Sequence, residues 1–180
     1  MPASRVDVRA IQAPIKERYR EEPGAAVRTL RVRGGGADLA DPLHCEVRAD
    51  SVPGWSGSAG AHPAVGGVGD VPCSGDMLLA ALVACQEITL RMVAANMGIA
   101  IEHLEIVAEA PWDPRGTLAM GKEFPIGIRS ITCRTTVTIA DDERGERAER
   151  LLRSAERYCV VLDSFRAGIE VDAAIQVRTG

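Results

Sequence analysis

The chain has few aromatic residues, and it lacks an excess of basic charge. Phenylalanine, tryptophan and tyrosine together make up 3% of the 180 residues, so aliphatic side chains must build the core. Acidic residues number 25 and lysines plus arginines 21, which leaves a net charge of −4. Nucleic acids and anionic membranes attract basic surfaces. We therefore expect a small neutral molecule or another protein as partner, and no nucleic acid or membrane.

The sequence also lacks the segments that mark export and the motifs that mark metal binding. No run of 18 consecutive apolar residues occurs, and the first ten residues carry charges where a secretory signal is apolar, so we expect a cytoplasmic protein. The five cysteines form no CxxC pair and have no histidine at ligand spacing. This pattern argues against a zinc site and a disulfide framework, and we expect no metal or cofactor. In a reducing compartment each cysteine is then a small core residue or a reactive thiol.

The order of apolar periodicities and turn residues predicts one α+β unit with antiparallel sheet. Residues 51–70 are rich in Gly, Ser, Pro and Ala, which predicts a long loop, either a lid over a site or a flexible connection. The first predicted elements are a short polar helix that starts near Pro14, strands at residues 27–33 and 43–48, and a helix at residues 75–97. Strands at residues 103–109 and 128–139 follow, then a helix from Asp141 or Asp142 to about Cys159, and a last strand at residues 169–177. The predicted buried face of that second helix consists of Leu151, Leu152, Ala155 and Tyr158.

The helix at residues 75–97 is the strongest local prediction. Ser74 is a suitable N-cap, Asp76 places a carboxylate in the first turn, and Gly98 ends the helix. Its other faces are apolar as well, so the helix should lie centrally, and one subunit is too small to cover it; this predicts a homodimer. One stripe at i, i+3, i+4 spacing consists of Leu78, Ala81, Leu82, Cys85, Ile88, Thr89, Met92 and Asn96.

Cys85 and Cys159 are the candidate reactive thiols, because each lies on the packing side of one of the two main helices. A reactive cysteine needs a positive field that lowers its thiol pKa. Cys85 lies about 15 Å along the axis from the start of its own helix, too far for that helix's dipole. The sequence therefore predicts that an arginine supplies the field, from elsewhere in the chain or from another subunit. The remaining cysteines, Cys45, Cys73 and Cys133, are interpreted as structural.

Two segments resemble the OsmC/Ohr family, named for osmotically induced protein C and the organic hydroperoxide resistance proteins. SGDMLLAALVACQEITLRMVAANMGIAIEHLEIVAEA is similar to that family's helix with the peroxidatic cysteine, and AERYCVVL to its segment with the second cysteine. The resemblance implies an N-terminal extension with a short helix at residues 1–26 and an OsmC-like domain at residues 27–180. It also implies an intertwined homodimer, with antiparallel sheets around two central helices and active sites at the subunit interface.

The activity implied by the resemblance is reduction of organic hydroperoxides. Cys85 attacks the peroxide and becomes a sulfenic acid, and Cys159 then forms a disulfide with it that a small or lipoyl dithiol reduces. The family pairs the thiolate with an arginine held by a carboxylate; Arg33, or next Arg31, matches the arginine, and Asp76 matches the carboxylate. The alternatives are a non-catalytic or redox-sensing dimer that binds an apolar ligand, and a different thiol transferase.

The substrate pocket is predicted to be mostly apolar. Its expected lining comes from Leu78, Leu82, Ile88 and the aliphatic residues near Cys159. Such a pocket favours alkyl or aryl hydroperoxides, which bury hydrocarbon, over hydrogen peroxide.

Overall fold

The computed structural model describes residues 6–139 and 145–177, and within them helices combine with two antiparallel sheets. The predicted α+β class is therefore confirmed. The elements are α1 (Val8–Glu21), β1 (Val32–Gly34), β2 (His44–Ala49), β3 (Ser56–Gly60), α2 (Ser74–Met97), β4 (Ile101–Glu109), α3 (Pro114–Thr117), β5 (Thr132–Ile139), α4 (Glu146–Tyr158) and α5 (Val160–Ala167), with short 3-10 turns at Pro23–Ala26 and Pro63–Val65.

The two sheets come from the two halves of the chain. In the first, β2 is the central strand and pairs antiparallel with β1 and β3; in the second, β4 pairs antiparallel with β5. The strand predicted at residues 27–33 is shorter and later, since β1 begins at Val32. The prediction of one loop over residues 51–70 is wrong, because β3 lies inside it. Its sequence, SGSAG, has little strand propensity, and backbone pairing with β2 holds it in the sheet.

Caps fix both ends of α2. Cys73 is the N-cap, in place of the predicted Ser74: the Asp76 N–H donates to the Cys73 sulfur at 3.5 Å, and the Cys73 N–H donates to the Asp76 carboxylate at 2.9 Å. Gly98 ends the helix in the left-handed conformation (φ 70°), as predicted. By length and composition alone α2 could cross a membrane; in this chain it packs against α4, α5 and β4.

One face of α2 builds the core against α4 and the second sheet. The buried residues of α2 recur every four positions and are Leu82, Gln86, Leu90 and Ala94. The central cluster consists of Leu90, Ala94, Ile99, Leu151 and Ala155.

The predicted stripe of α2 faces mostly away from this core. Leu82 is buried, but Leu78, Ile88 and Met92 are 40%, 56% and 37% exposed. Apolar periodicity did not identify the packed face because both faces are apolar. The chain by itself thus leaves an open apolar face on its central helix.

The second predicted helix is two helices. The chain is extended at Cys159 (φ −76°, ψ 105°), so α4 ends before it and α5 begins after it. Gly168 ends α5 in the left-handed conformation, as predicted. The predicted start at Asp141 or Asp142 lies outside the described residues. Of the predicted buried face, the structure buries Leu151 and Ala155 and exposes Leu152 and Tyr158.

Both ends of the described chain differ from their predictions. The N-terminal helix starts earlier than predicted, at Val8, because Asp7 caps it by accepting from the Ala10 N–H at 2.9 Å. Pro14 therefore lies inside α1, and its predicted place in the first turn is wrong. Residues 169–177 form neither helix nor strand, so the predicted last strand is absent from the subunit. No strand described in this subunit pairs with that segment.

Candidate active site

The structure brings Cys85 and Cys159 together. Cys85 lies at the middle of α2 and is half-buried, whereas Cys159 lies at the break between α4 and α5 and is fully buried. The two thiols lie close enough for each to shift the pKa of the other. A break in the second helix, placed against the middle of the first, is what makes this contact.

The N-terminus of α5 faces the Cys85 sulfur. The first N–H groups of a helix have no partner within it, and they favour negative charge. Burial raises the pKa of Cys85, but hydrogen bonds from the Val161 N–H, the Cys159 thiol, the Thr89 hydroxyl and the Val160 N–H together outweigh it and lower that pKa. Cys85 is therefore the thiol that ionises more readily than an ordinary cysteine.

The pKa of Cys159 is shifted in the opposite direction. Burial raises it most, the neighbouring Cys85 raises it further, and N–H groups of Leu162 and Val161 lower it less. One sulfur of the pair is thus biased toward the thiolate and the other toward the thiol. A nucleophile and a proton-bearing second thiol are the two species that a two-cysteine redox cycle needs.

Within this chain, the groups that lower the pKa of Cys85 are the Val161 and Val160 N–H groups, the Cys159 thiol and the Thr89 hydroxyl. The arginine expected from elsewhere in the chain or from another subunit stays a prediction. Thr89 lies on the predicted stripe of α2, and no role was predicted for it. No glycine or proline marks the helix break at Cys159, so the helix start that faces Cys85 had no sequence signal.

Asp76 caps α2 and does not contact Cys85. Its carboxylate accepts the Cys73 N–H, and its pKa is lowered first by that bond and then by the Cys73 thiol. Asp76 lies nine residues before Cys85 on the helix, which is about 14 Å along the axis. Its predicted part in activating Cys85 stays a prediction.

Arg33 lies on the exposed strand β1, away from the two thiols. Its guanidinium forms a two-point ion pair with Asp50, with donor–acceptor distances of 2.8 and 2.9 Å. The hydrogen bond with Asp50 raises the pKa of Arg33 and lowers that of Asp50. Within this chain the ion-pair partner of Arg33 is therefore Asp50. The predicted pairing of Arg33 with the Cys85 thiolate also stays a prediction.

A cavity of about 770 Å³ lies on the packed side of α2, between α2, β5, α4 and α5. We call it the Gln86 cavity, because the Gln86 side chain lines it, is only 9% exposed and has no hydrogen-bonding partner among the described residues. Leu82 lines it as predicted for the substrate pocket, whereas Leu78 and Ile88 lie on the open face. Its lining is mixed, and not mostly apolar: polar groups include Ser130, Thr132 and Thr135.

The other cysteines lie apart from this pair. Cys45 is exposed on β2, Cys73 caps α2, and burial raises the pKa of Cys133 on β5. All five thiols are free. Over residues 6–139 and 145–177, no group of three or more His, Cys, Asp or Glu side chains could hold a metal ion.

Solved structures share this arrangement of helices and sheets. An OsmC-like protein of unknown function from Vibrio cholerae O1 matches with a TM-score of 0.60 at 14% identity, over 77% of this chain and 94% of that chain. An organic hydroperoxide resistance protein OsmC from Legionella pneumophila matches with a TM-score of 0.56 at 18% identity, over 78% of this chain and 91% of that chain. An organic hydroperoxide resistance protein from Elizabethkingia anophelis matches with a TM-score of 0.55 at 16% identity, over 81% of this chain and 93% of that chain.

The sequence itself carries the family assignment. None of the curated proteins matches the chain significantly. The family model described as OsmC-like protein matches residues 67–174, which include both thiols of the candidate site. The chain therefore belongs to the OsmC-like family.

Proposed function

We propose that this protein is a thiol-dependent peroxidase that reduces organic hydroperoxides at Cys85. The observation that carries the proposal is the pair of neighbouring sulfurs, one with a lowered pKa and the other with a raised one. Family membership and the names of two structural neighbours as organic hydroperoxide resistance proteins support the same reaction.

The proposed cycle uses both cysteines. The Cys85 thiolate attacks the terminal oxygen of R–O–OH; the O–O bond breaks, and the alkoxide takes a proton and leaves as the alcohol. Cys85 is then a sulfenic acid. The Cys159 sulfur attacks Cys85, the S–S bond forms, and the hydroxide leaves as water with the proton of Cys159. A dithiol or lipoyl reductant then returns two electrons and two protons and becomes a disulfide itself.

Organic hydroperoxides suit the surroundings of Cys85 better than hydrogen peroxide. The open face of α2 places apolar side chains one turn away on either side of it, Ala81 and Ile88. Each methylene that a substrate buries there contributes about 0.8 kcal/mol, which hydrogen peroxide cannot gain. Cumene or tert-butyl hydroperoxide should therefore turn over faster than hydrogen peroxide.

A second copy of the chain is the proposed partner. The open face of α2 exposes Leu78, Ile88 and Met92 around Cys85, and residues 169–177 carry four exposed branched side chains without a strand partner. Both surfaces lose water contact if two subunits pack through them. The interface would also be the place from which Arg33 could reach a thiolate. Free thiols throughout suit a reducing compartment such as the cytoplasm.

Turnover by the purified protein tests the proposal. Organic hydroperoxide consumption with a dithiol reductant should be catalytic, and it should disappear in Cys85→Ser. Failure of the wild-type protein to consume organic hydroperoxide with any dithiol or lipoyl reductant would contradict it. Sedimentation or light scattering should show a dimer at micromolar concentration, and a monomer would contradict the proposed interface.

The Gln86 cavity favours a second candidate, a non-catalytic or redox-sensing dimer that binds an apolar ligand. A volume of about 770 Å³ suits a small organic molecule, and the unpaired Gln86 amide offers a polar anchor. Thermal stabilisation by a hydrophobic ligand that persists in Cys85→Ser and is lost in Gln86→Leu supports this candidate. Peroxide turnover with no such stabilisation supports the enzyme.

A further inference from the structure

A groove of about 740 Å³ runs between α1, α2 and α4 and adjoins the candidate site. Thr89, whose hydroxyl interacts with the Cys85 sulfur, lines it, and so does Tyr158, which directly precedes Cys159. We call it the cationic groove because its charged lining residues are Arg9, Lys16 and Arg150.

The positive charge of this groove is not compensated locally. In the part of the chain that the structure describes, no aspartate or glutamate lines the groove, and none of Arg9, Lys16 and Arg150 forms an ion pair. Neighbouring arginines on the same helices do pair, since Arg20 binds Glu17 and Arg153 binds Glu149. The chain as a whole carries a net charge of −4, so the groove opposes the overall charge.

The N-terminal helix supplies two of the three cations and is held in place. The Arg9 guanidinium donates to the Asn96 carbonyl oxygen at 2.7 Å, and the Asn96 side chain donates to Gln12 at 3.4 Å. Both contacts join α1 to the last turn of α2. The segment read from the sequence as an extension therefore forms one wall of a groove next to the thiols.

We propose that the cationic groove binds the anionic group of a small organic reactant whose other end reaches Cys85. The proposal rests on the peroxidase function above and names its substrate class: a carboxylate or similar anion, carried by the hydroperoxide or by the thiol reductant. Met92 and Val93 line the groove between the cations and Thr89, and they offer contact to a short carbon chain. Uncompensated cations beside a cavity attract an anion and raise its local concentration.

Alkylation of Cys85 by a matched pair of reagents tests the groove without peroxide. Iodoacetate is anionic and iodoacetamide is neutral, and the ratio of their rates at Cys85 cancels any change in the sulfur's own nucleophilicity. Peptide mapping by mass spectrometry separates Cys85 from the other four cysteines. The test variant is Lys16→Gln/Arg150→Gln, because neither side chain makes a hydrogen bond to any described residue that holds α1 or α4. The control is Lys122→Gln, which removes the only other lysine; it lies in a turn and does not line the groove.

We expect the iodoacetate-to-iodoacetamide ratio to fall about three- to tenfold in the double variant, and to fall in the wild type as salt rises to about 0.5 M. Lys122→Gln should leave the ratio unchanged. An unchanged ratio in the double variant overturns the proposal. This readout does not depend on peroxidase activity, so failure of the proposed function is seen separately.

Two further pairs of matched reactants, each with one anionic and one neutral member, identify whether the hydroperoxide or the reductant carries the anion. One compares a carboxylated alkyl hydroperoxide with its methyl ester in oxidising Cys85. The other compares a carboxylated thiol with a neutral thiol of equal length in reducing the oxidised protein. If the carboxylated hydroperoxide is preferred and the preference depends on Lys16 and Arg150, the hydroperoxide carries the anion that the groove binds. If the carboxylated thiol is preferred in the same way, the reductant carries it. If neither pair shows such a preference, the groove has no part in the reaction and the proposal is overturned.

Discussion

Cys73 and Cys85 both lie beside the start of a helix, but a carboxylate side chain caps only the helix start at Cys73. Cys73 begins its own helix, α2, where its sulfur accepts the Asp76 N–H and its own N–H is taken by the Asp76 carboxylate. Cys85 lies at the middle of α2 beside the start of α5, where the Val161 and Val160 N–H groups lower the pKa of its sulfur. Among the described residues, no carboxylate lowers the pKa of Cys85.

The difference shows that a helix start can act on a thiol in two ways. At Cys73 the sulfur and a carboxylate together satisfy N–H groups and fix where the helix begins, which is a structural role. At Cys85 the N–H groups of another helix act on a sulfur that is not part of that helix's cap, which favours the thiolate. Position within a cysteine's own helix is therefore a poor guide to its reactivity.

Replacing each of the two cysteines should give opposite results for activity. Cys85→Ser should abolish peroxide consumption, because a serine hydroxyl does not ionise in this field. Cys73→Ser should keep most of the activity, because serine is itself a good N-cap. Peroxide consumption with excess dithiol is the measurement. Equal inactivity of both variants would show that the roles assigned to these cysteines are wrong.

Removal of the second thiol should stop the cycle after its first step. In Cys159→Ser the Cys85 thiolate still reacts, but its sulfenic acid has no neighbouring thiol and oxidises further. We expect consumption of roughly one to two equivalents of hydroperoxide per subunit, with sulfinic acid at Cys85 in the mass spectrum. Sustained turnover at the wild-type rate would exclude Cys159 as the resolving thiol.

Removing one N–H from the start of α5 should weaken Cys85 without breaking the helix. Val160 is the first residue of α5, a position that accepts proline, and the extended Cys159 suits a residue before proline. Val160→Pro deletes one donor, worth about 0.5 to 1.5 kcal/mol, and should lower the thiolate fraction about two- to tenfold. Iodoacetamide rates at Cys85 across pH measure this. A matched Val160→Ala should behave like the wild type.

Loss of the α2 cap should change stability while leaving Cys85 almost unaffected. Asp76→Ala removes the acceptor of the Cys73 N–H and should cost about 0.5 to 2 kcal/mol in free energy of unfolding. The Cys73 N–H lowers the pKa of Asp76 in the folded state. The stability that the Asp76 carboxylate contributes is therefore present above its unfolded-state pKa and is lost as pH falls through its lower folded-state pKa. The free energies of unfolding of the wild type and Asp76→Ala should therefore converge in acid.

Denaturant unfolding and Cys85 alkylation separate the two roles that Asp76 has been given. A loss of stability with an unchanged alkylation rate fits a cap. A slower alkylation of Cys85 in Asp76→Asn, at unchanged stability, would instead support the carboxylate predicted from the family resemblance.

Local signals in the sequence predicted a good part of the fold. The carboxylate of Asp76, the terminating Gly98 and the β-branched run of β5 are short-range features, and the elements they predict are present. β3 was missed because its small residues have no strand preference and depend on pairing with β2. Residues 169–177 were predicted as a strand, but a strand forms only by pairing, and this segment pairs with none of the described strands.

Of the candidate site, the sequence predicted that Cys85 and Cys159 lie together, whereas the roles given to Arg33 and Asp76 stay predictions. Cys85 and Cys159 were paired through the family resemblance, and the structure places them in contact. The break at Cys159 carries no glycine or proline and arises from tertiary packing, so the helix start that lowers the pKa of Cys85 could not be predicted. The cationic groove was missed for a related reason, because Lys16 and Arg150 are far apart in sequence and meet only when α1 docks.

Mass spectrometry of a non-reduced digest tests the central claim most directly. Reduced protein treated with one equivalent of cumene hydroperoxide should yield a peptide pair joined by a disulfide between Cys85 and Cys159, with Cys45, Cys73 and Cys133 free. A sulfinic acid at Cys85 beside an unmodified Cys159, or a disulfide between any other pair, would contradict the two-cysteine mechanism.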